Sequence, residues 1–103
     1  MENMATILGE VSNAAVVQLP SRKFPSICIQ GDTLVNLTAL ISRLALNAKN
    51  NVTMNEDDIY DLVYVNNVLT ALSFVYDKTL TASAVEKPYS TLNIAKLSHI
   101  ELD

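Results

Sequence analysis

Two glycines and three prolines leave this chain short of the residues that punctuate and bend a backbone, and tryptophan is absent. Collagenous, low-complexity and glycine-rich phosphate-loop architectures are excluded on that ground. A single cysteine, Cys28, excludes an intrachain disulfide, and a reducing cytosol is the simplest compartment. One histidine and one cysteine, far apart in sequence, do not make an ordinary zinc site. Positive charge is scarce too: seven Lys and Arg face eleven Asp and Glu, for a net charge of −4. Only Arg22 and Lys23 are adjacent, so no basic stripe is offered to a phosphate backbone and direct nucleic-acid binding is disfavoured. No apolar run approaches the ~18 residues of a membrane span, and the N-terminus lacks the basic and apolar regions of a signal peptide. The acidic surplus favours basic partners.

What is present is apolar. Half of the 103 residues are hydrophobic and 17% are charged, against about 25% in an average domain. The length is that of one domain, 1–103, with no repeat and no linker-like stretch. Three short apolar runs come first: residues 5–8, residues 14–19 and residues 26–30. Gly9 to Asn13 separates the first two, and Pro20 and Pro25 bracket Ser21-Arg22-Lys23-Phe24 before the third. Alternation puts Ala15, Val17 and Leu19 on one face of the second run, and Ile27 and Ile29 on one face of the third. Three strands in an antiparallel meander follow.

The period then changes from two to three and four. Asp32 is placed to cap a helix over about residues 33–48, with Leu34, Leu37, Ile41, Leu44 and Ala48 as its buried stripe. Val35, Leu40 and Leu46 fall outside that stripe and call for a second covered face. An Asn-rich connection, residues 47–55, precedes a second helix capped by Asn55. Glu56, Asp57 and Asp58 complement the positive end of its dipole. Leu62, Val65, Leu69, Leu72, Tyr76 and Leu80 mark its stripe, while Ile59, Val63, Tyr64, Val68, Phe74 and Val75 fall on other faces. The helix runs from about 56 to between 78 and 86 and is apolar around much of its girth. Such a helix must be covered on more than one side. A homodimer with this helix near the two-fold axis does that; a C-terminal tail folded back over it is the alternative. In the tail, Ser90 or Thr91 caps a short helix through Leu97, or residues 99–102 add a strand. The fold class is α+β, in the order β-β-β-α-α, with the second helix long.

The segment from Leu19-Pro20 to Leu34 resembles the N-terminal half of HicB-type antitoxins, where a proline-containing turn leads into a strand and a Gln-Gly-Asp-Thr-Leu helix start. It is also similar to a poorly characterised family of small bacterial proteins, matched here by Arg22, Lys23, Phe24, Pro25, Ile27, Ile29, Gln30, Gly31, Asp32 and Leu34. The resemblance covers about residues 5–48. It implies a small sheet with a helix packed on it and, for HicB-type proteins, neutralisation of a toxic RNase by direct contact. The long apolar second helix departs from that pattern.

Chemistry is sparse. Cys28, mid-strand between isoleucines, is expected to be an inert buried filler, and no nucleophile elbow, Walker or dinucleotide fingerprint is present. No enzyme activity, cofactor or metal is expected. Two surface candidates remain. Glu56, Asp57, Asp58 and Asp61 with Tyr60 and Tyr64 form an acidic, tyrosine-bearing helix start suited to a basic protein partner. Arg22, Lys23 and Phe24 form a turn suited to an acidic or phosphorylated ligand, although Phe24 tucked into the core is the plainer expectation. The chain is therefore expected to be a small acidic cytoplasmic protein that inhibits or neutralises another protein: an antitoxin, an immunity protein or a phage-encoded inhibitor. The alternative is a small-molecule or nucleotide-binding module at a homodimer groove.

Overall fold

A computed structural model describes residues 4–50 and 53–102. Residues 1–3, where the absence of a leader was read, lie outside the described residues, as do Asn51 and Val52 of the Asn-rich connection. Three antiparallel strands, β1 (Thr6–Val11), β2 (Ala14–Gln18) and β3 (Ser26–Ile29), form a meander in sequence order. Two helices follow, α1 (Gly31–Lys49) and α2 (Glu56–Ala82), and then one short turn of helix, α3 (Thr91–Ala95). The α+β order is as the period change predicts.

The first strand runs further than its apolar residues suggest. Gly9 and Glu10 belong to β1, not to the turn, which is reduced to Ser12 and Asn13. Ser12 takes φ 51, a positive angle of the kind a two-residue hairpin requires. A register shift between Ile7 and Gly9 marks a bulge at Leu8. Gln18 closes the β2–β3 turn by donating from Nε2 to the Leu19 and Arg22 carbonyls at 3.0 and 2.8 Å.

Helix α1 starts two residues before the expected point, so Asp32 is not its cap. Gln30 holds the cap position without a side-chain bond, and Asp32 Oδ1 accepts from the adjacent Thr33 amide at 2.8 Å. Gly31 opens the helix because the Tyr76 ring of α2 occupies the space a Cβ would need. Asn55 does cap α2, accepting from the Asp57 amide at 2.7 Å. The far end of α2 stops at Ala82, well before Pro88, where Ala84 turns to φ 55 and takes the left-handed position usually filled by glycine.

The helices pack on each other, not on the sheet. Ala48 is buried as its stripe predicts, and Leu34, Ile41, Leu62, Leu69, Tyr76 and Leu80 are half-buried, but Leu37, Leu44, Val65 and Leu72 of the expected stripes are exposed. Helix α1 buries Gly31, Val35, Thr38, Ser42, Ala45 and Ala48. Helix α2 buries Val63, Asn66, Thr70 and Ser73. Leu37, Leu40, Leu44 and Leu46 are exposed, as are Val65, Val68, Leu72 and Val75. Small and hydroxyl-bearing side chains let two backbones approach closely, and their polar groups pair across the seam. Thr38 donates to the Leu34 carbonyl at 2.7 Å, so Ser73 donates to Thr38, at 3.0 Å. Ser42 donates to Asn66 Oδ1 at 2.5 Å.

The tail folds back, as the alternative to the dimer supposed, touching α2 at Tyr76 and Asp77 through Tyr89 and at Asn66 and Asn67 through residues 98–100, but it leaves Val65, Val68, Leu72 and Val75 exposed. Ser90 caps α3, accepting from the Asn93 amide at 3.2 Å, and no strand forms in residues 97–102. Asn66 Nδ2 donates to the Ser98 carbonyl, and Asn67 exchanges two bonds with the Ile100 backbone, at 3.0 and 2.8 Å. These place Ile100 against Ala45 and Val63, with Ile59, Leu62 and Leu102 around them, to form the small apolar core.

Candidate functional site

Both surface candidates are exposed, at separate places. The acidic candidate is the first two turns of α2. Glu56, Asp57, Asp58 and Asp61 are exposed, and so are Tyr60 and Tyr64, the latter 70% accessible. The helix start is set by the Asn55 cap, and the carboxylates suit the positive end of the dipole. The negative Glu56 carboxylate, one helical turn away, raises the pKa of the Tyr60 phenol above the ordinary value.

The tail adds to this surface. Tyr60, Tyr64 and Asn67 border a shallow hollow of about 270 Å³ whose other wall is His99, Ile100, Glu101 and Leu102. His99 Nε2 lies 3.4 Å from Glu101 Oε1. The contribution of His99 and Glu101 was not foreseeable from helical spacing, because it depends on Asn67 binding the Ile100 backbone 33 residues away. An asparagine pair at positions facing the tail is the only trace of it in the sequence.

The basic candidate sits on the β2–β3 turn. Phe24 is 72% exposed, not tucked into the core, and Lys23 Nζ stands 5.3 Å from the centre of its ring. Residues 20–25 of this turn are all exposed, so the ring has no core to enter. Two hollows on the sheet, of about 320 and 240 Å³, are lined by residues of the strands and the hairpin turn, and not by Arg22, Lys23 or Phe24. Cys28 is exposed, contrary to its expected role as buried filler, because no helix covers its face of the sheet.

At the C-terminal end of α2, Asp77 accepts from the Tyr89 hydroxyl at 2.7 Å and pairs with Lys87 at 3.0 Å. Those two partners, Tyr89 first, lower the pKa of Asp77, while burial and then Asp77 raise that of Tyr89. This cluster ties the segment after α2 back onto the helix. Among the described residues, no group of three or more His, Cys, Asp and Glu side chains is placed to hold a metal ion. No helix among them is long and apolar enough to cross a membrane.

The fold and this face define a small α+β protein that presents an acidic, tyrosine-bearing helix end. Over residues 1–89 the chain matches a family of unknown function, DUF6959, and belongs to it. The match takes in the sheet, α1, α2 and the acidic face, and stops before α3. No curated protein and no solved structure matches the chain.

Proposed function

We propose that this chain is a non-enzymatic cytoplasmic binding protein that neutralises another protein by covering a basic surface on it. The observation that carries this is the joint exposure of Glu56, Asp57, Asp58 and Asp61 with Tyr60 and Tyr64 on one helix end. Four carboxylates steer a basic partner and set its orientation. Two tyrosines supply broad contact area at small conformational cost, and tyrosine is among the residue types enriched where interfaces are strongest. An antitoxin, an immunity protein or a phage-encoded inhibitor fits this description. With a net charge of −4 and no basic stripe, the partner is a protein and not a nucleic acid.

The test neutralises the face without removing the helix cap. A variant carrying Glu56→Gln, Asp57→Asn, Asp58→Asn and Asp61→Asn, with unchanged circular dichroism, is compared with the wild type against a protein partner recovered by co-purification. Affinity is expected to fall at least about tenfold, equivalent to ~1.4 kcal/mol, and the wild-type affinity to weaken with salt. Undiminished binding by the neutralised variant sinks the proposal. The small-molecule alternative uses Arg22 and Lys23 as anion contacts. It is separated by a thermal-shift screen against nucleotides, where only a stabilisation lost on Arg22→Ala plus Lys23→Ala supports it.

A further inference from the structure

The outward face of α2 carries Val65, Val68, Leu72, Val75 and Thr79, all exposed. Their spacing alternates three and four residues over two heptads, the period at which one helix keeps a continuous seam against another. Beside the C-terminal part of that stripe lies an apolar groove of about 380 Å³, floored by Leu72, Val75 and Tyr76 of α2 and walled by Ile27 and Ile29 of β3. It contains no charged side chain.

The whole surface has a matching excess. A compact monomer of 11.3 kDa exposes about 5,700 Å², whereas this chain exposes 7599 Å². Its radius of gyration is 16.2 Å, against about 13 Å for a compact domain of this length. The surplus, about 1,900 Å² per chain, is what each partner of an obligate dimer buries, since such interfaces remove roughly 2,000–5,000 Å² in total.

We infer that a second copy of this chain covers this face, with the two α2 helices antiparallel and the two-fold axis at Leu72. Charge decides the direction. A parallel pair would set Asp58 and Asp61, the next residues of the same stripe toward the N-terminus, against their own copies in a chain that is already acidic. The antiparallel pair separates them to opposite ends of the dimer. It also lays Val65 and Val68 of each copy toward the groove between β3 and α2 of the other, a self-complementary contact of the kind a two-fold axis requires. Asp58 stands 14 residues from Leu72, roughly 21 Å along the helix, so the acidic faces stay open at both ends. The dimer is independent of the proposed partner binding.

Light scattering on the eluting wild-type protein is expected to give twice the chain mass of 11.3 kDa, and Leu72→Lys plus Val75→Lys to return it to the single-chain mass. Those side chains are 53% and 64% exposed in one chain, so the lone fold tolerates the change, with circular dichroism as the check. A second measurement does not depend on the lysine variant folding. In a Cys28→Ser background, mild oxidation is expected to link Leu72→Cys into a disulfide dimer and to leave Val65→Cys unlinked. A wild type of single-chain mass at 100 μM overturns the inference and gives this face to a different protein. A dimer that survives the two lysines overturns it in favour of another face. Linkage of Val65→Cys, with or without linkage of Leu72→Cys, overturns the antiparallel arrangement, since a parallel pair sets every residue of the stripe against its own copy.

Discussion

The seam between α1 and α2 and the three-stranded sheet use opposite materials for opposite ends. The seam is closed by Thr38, Ser42, Asn66, Thr70 and Ser73, polar side chains that are almost wholly inaccessible. The sheet and the outer helix faces carry Ile7, Ile27, Ile29, Leu72 and Val75 into solvent. Ordinary domains do the reverse. The difference teaches that the single chain is held less by the bulk of its apolar residues than by the fit and pairing of small ones. The bulk is left over for contact with something else.

The sharpest way to break that contrast is Asn66→Ala. Asn66 accepts from Ser42 and donates to the Ser98 carbonyl, so it joins α1, α2 and the tail at one buried point. Removing it leaves the buried Ser42 hydroxyl unpaired, at a cost of about 1–3 kcal/mol, and also takes away the bond that holds the Ser98 carbonyl of the tail. A loss of about 3 kcal/mol in chemical denaturation is expected, the largest of any single alanine change in the seam. A loss under about 1 kcal/mol would mean that the seam is wet and that its hydrogen bonds do not hold the helices together.

How much of this was legible in the sequence follows from the same contrast. Element order and type were legible because alternation in residues 14–18 and 26–29 and the run of helix formers after Asp32 are local signals. The acidic helix start was legible because Asn55 and three carboxylates are local end chemistry. The buried stripes were legible only in part, Ala48 among them, because spacing identifies faces, and on α1 and α2 more than one face has helical spacing. Hydrophobicity then chose Leu37 and Leu44 over Thr38 and Ser42. What decided the matter is reciprocal: Thr38 belongs inside only because Ser73 stands opposite, 35 residues later. Burial of Cys28 and Phe24 was misjudged for a related reason. A strand pattern states that a face is apolar, but not that anything in the same chain lies over it.

A smaller effect of opposite sign sharpens the comparison within the seam. Thr70 is buried to 1% accessibility, and its hydroxyl has no hydrogen-bond partner. It is the place where the polar lining fails to pair. Thr70→Val keeps the branched shape and removes the unpaired group, so it is expected to stabilise the fold by about 1 kcal/mol, read as a raised denaturation midpoint at unchanged slope. Destabilisation would show instead that the hydroxyl is satisfied, by a water held between the helices.

The least effect is expected where an average protein would show one of the greatest. Phe24 is one of two phenylalanines, and truncating a core phenylalanine to alanine costs roughly 3–5 kcal/mol. Here the ring stands 72% exposed on the β2–β3 turn, and its one described partner is the Lys23 ammonium, 5.3 Å away. An exposed cation–ring contact contributes about 0.5–1 kcal/mol, and the turn is held by Gln18 and the Leu19 carbonyl without help from the ring. Phe24→Ala is therefore expected to cost about 0.5 kcal/mol, several times less than the loss of buried Asn66. Measured side by side in the same denaturant series, the two alanine variants invert the usual ranking of phenylalanine over asparagine. A cost above about 2 kcal/mol at Phe24 would place the sheet turn against a second surface, and the sheet would then be closed in the folded protein, not open.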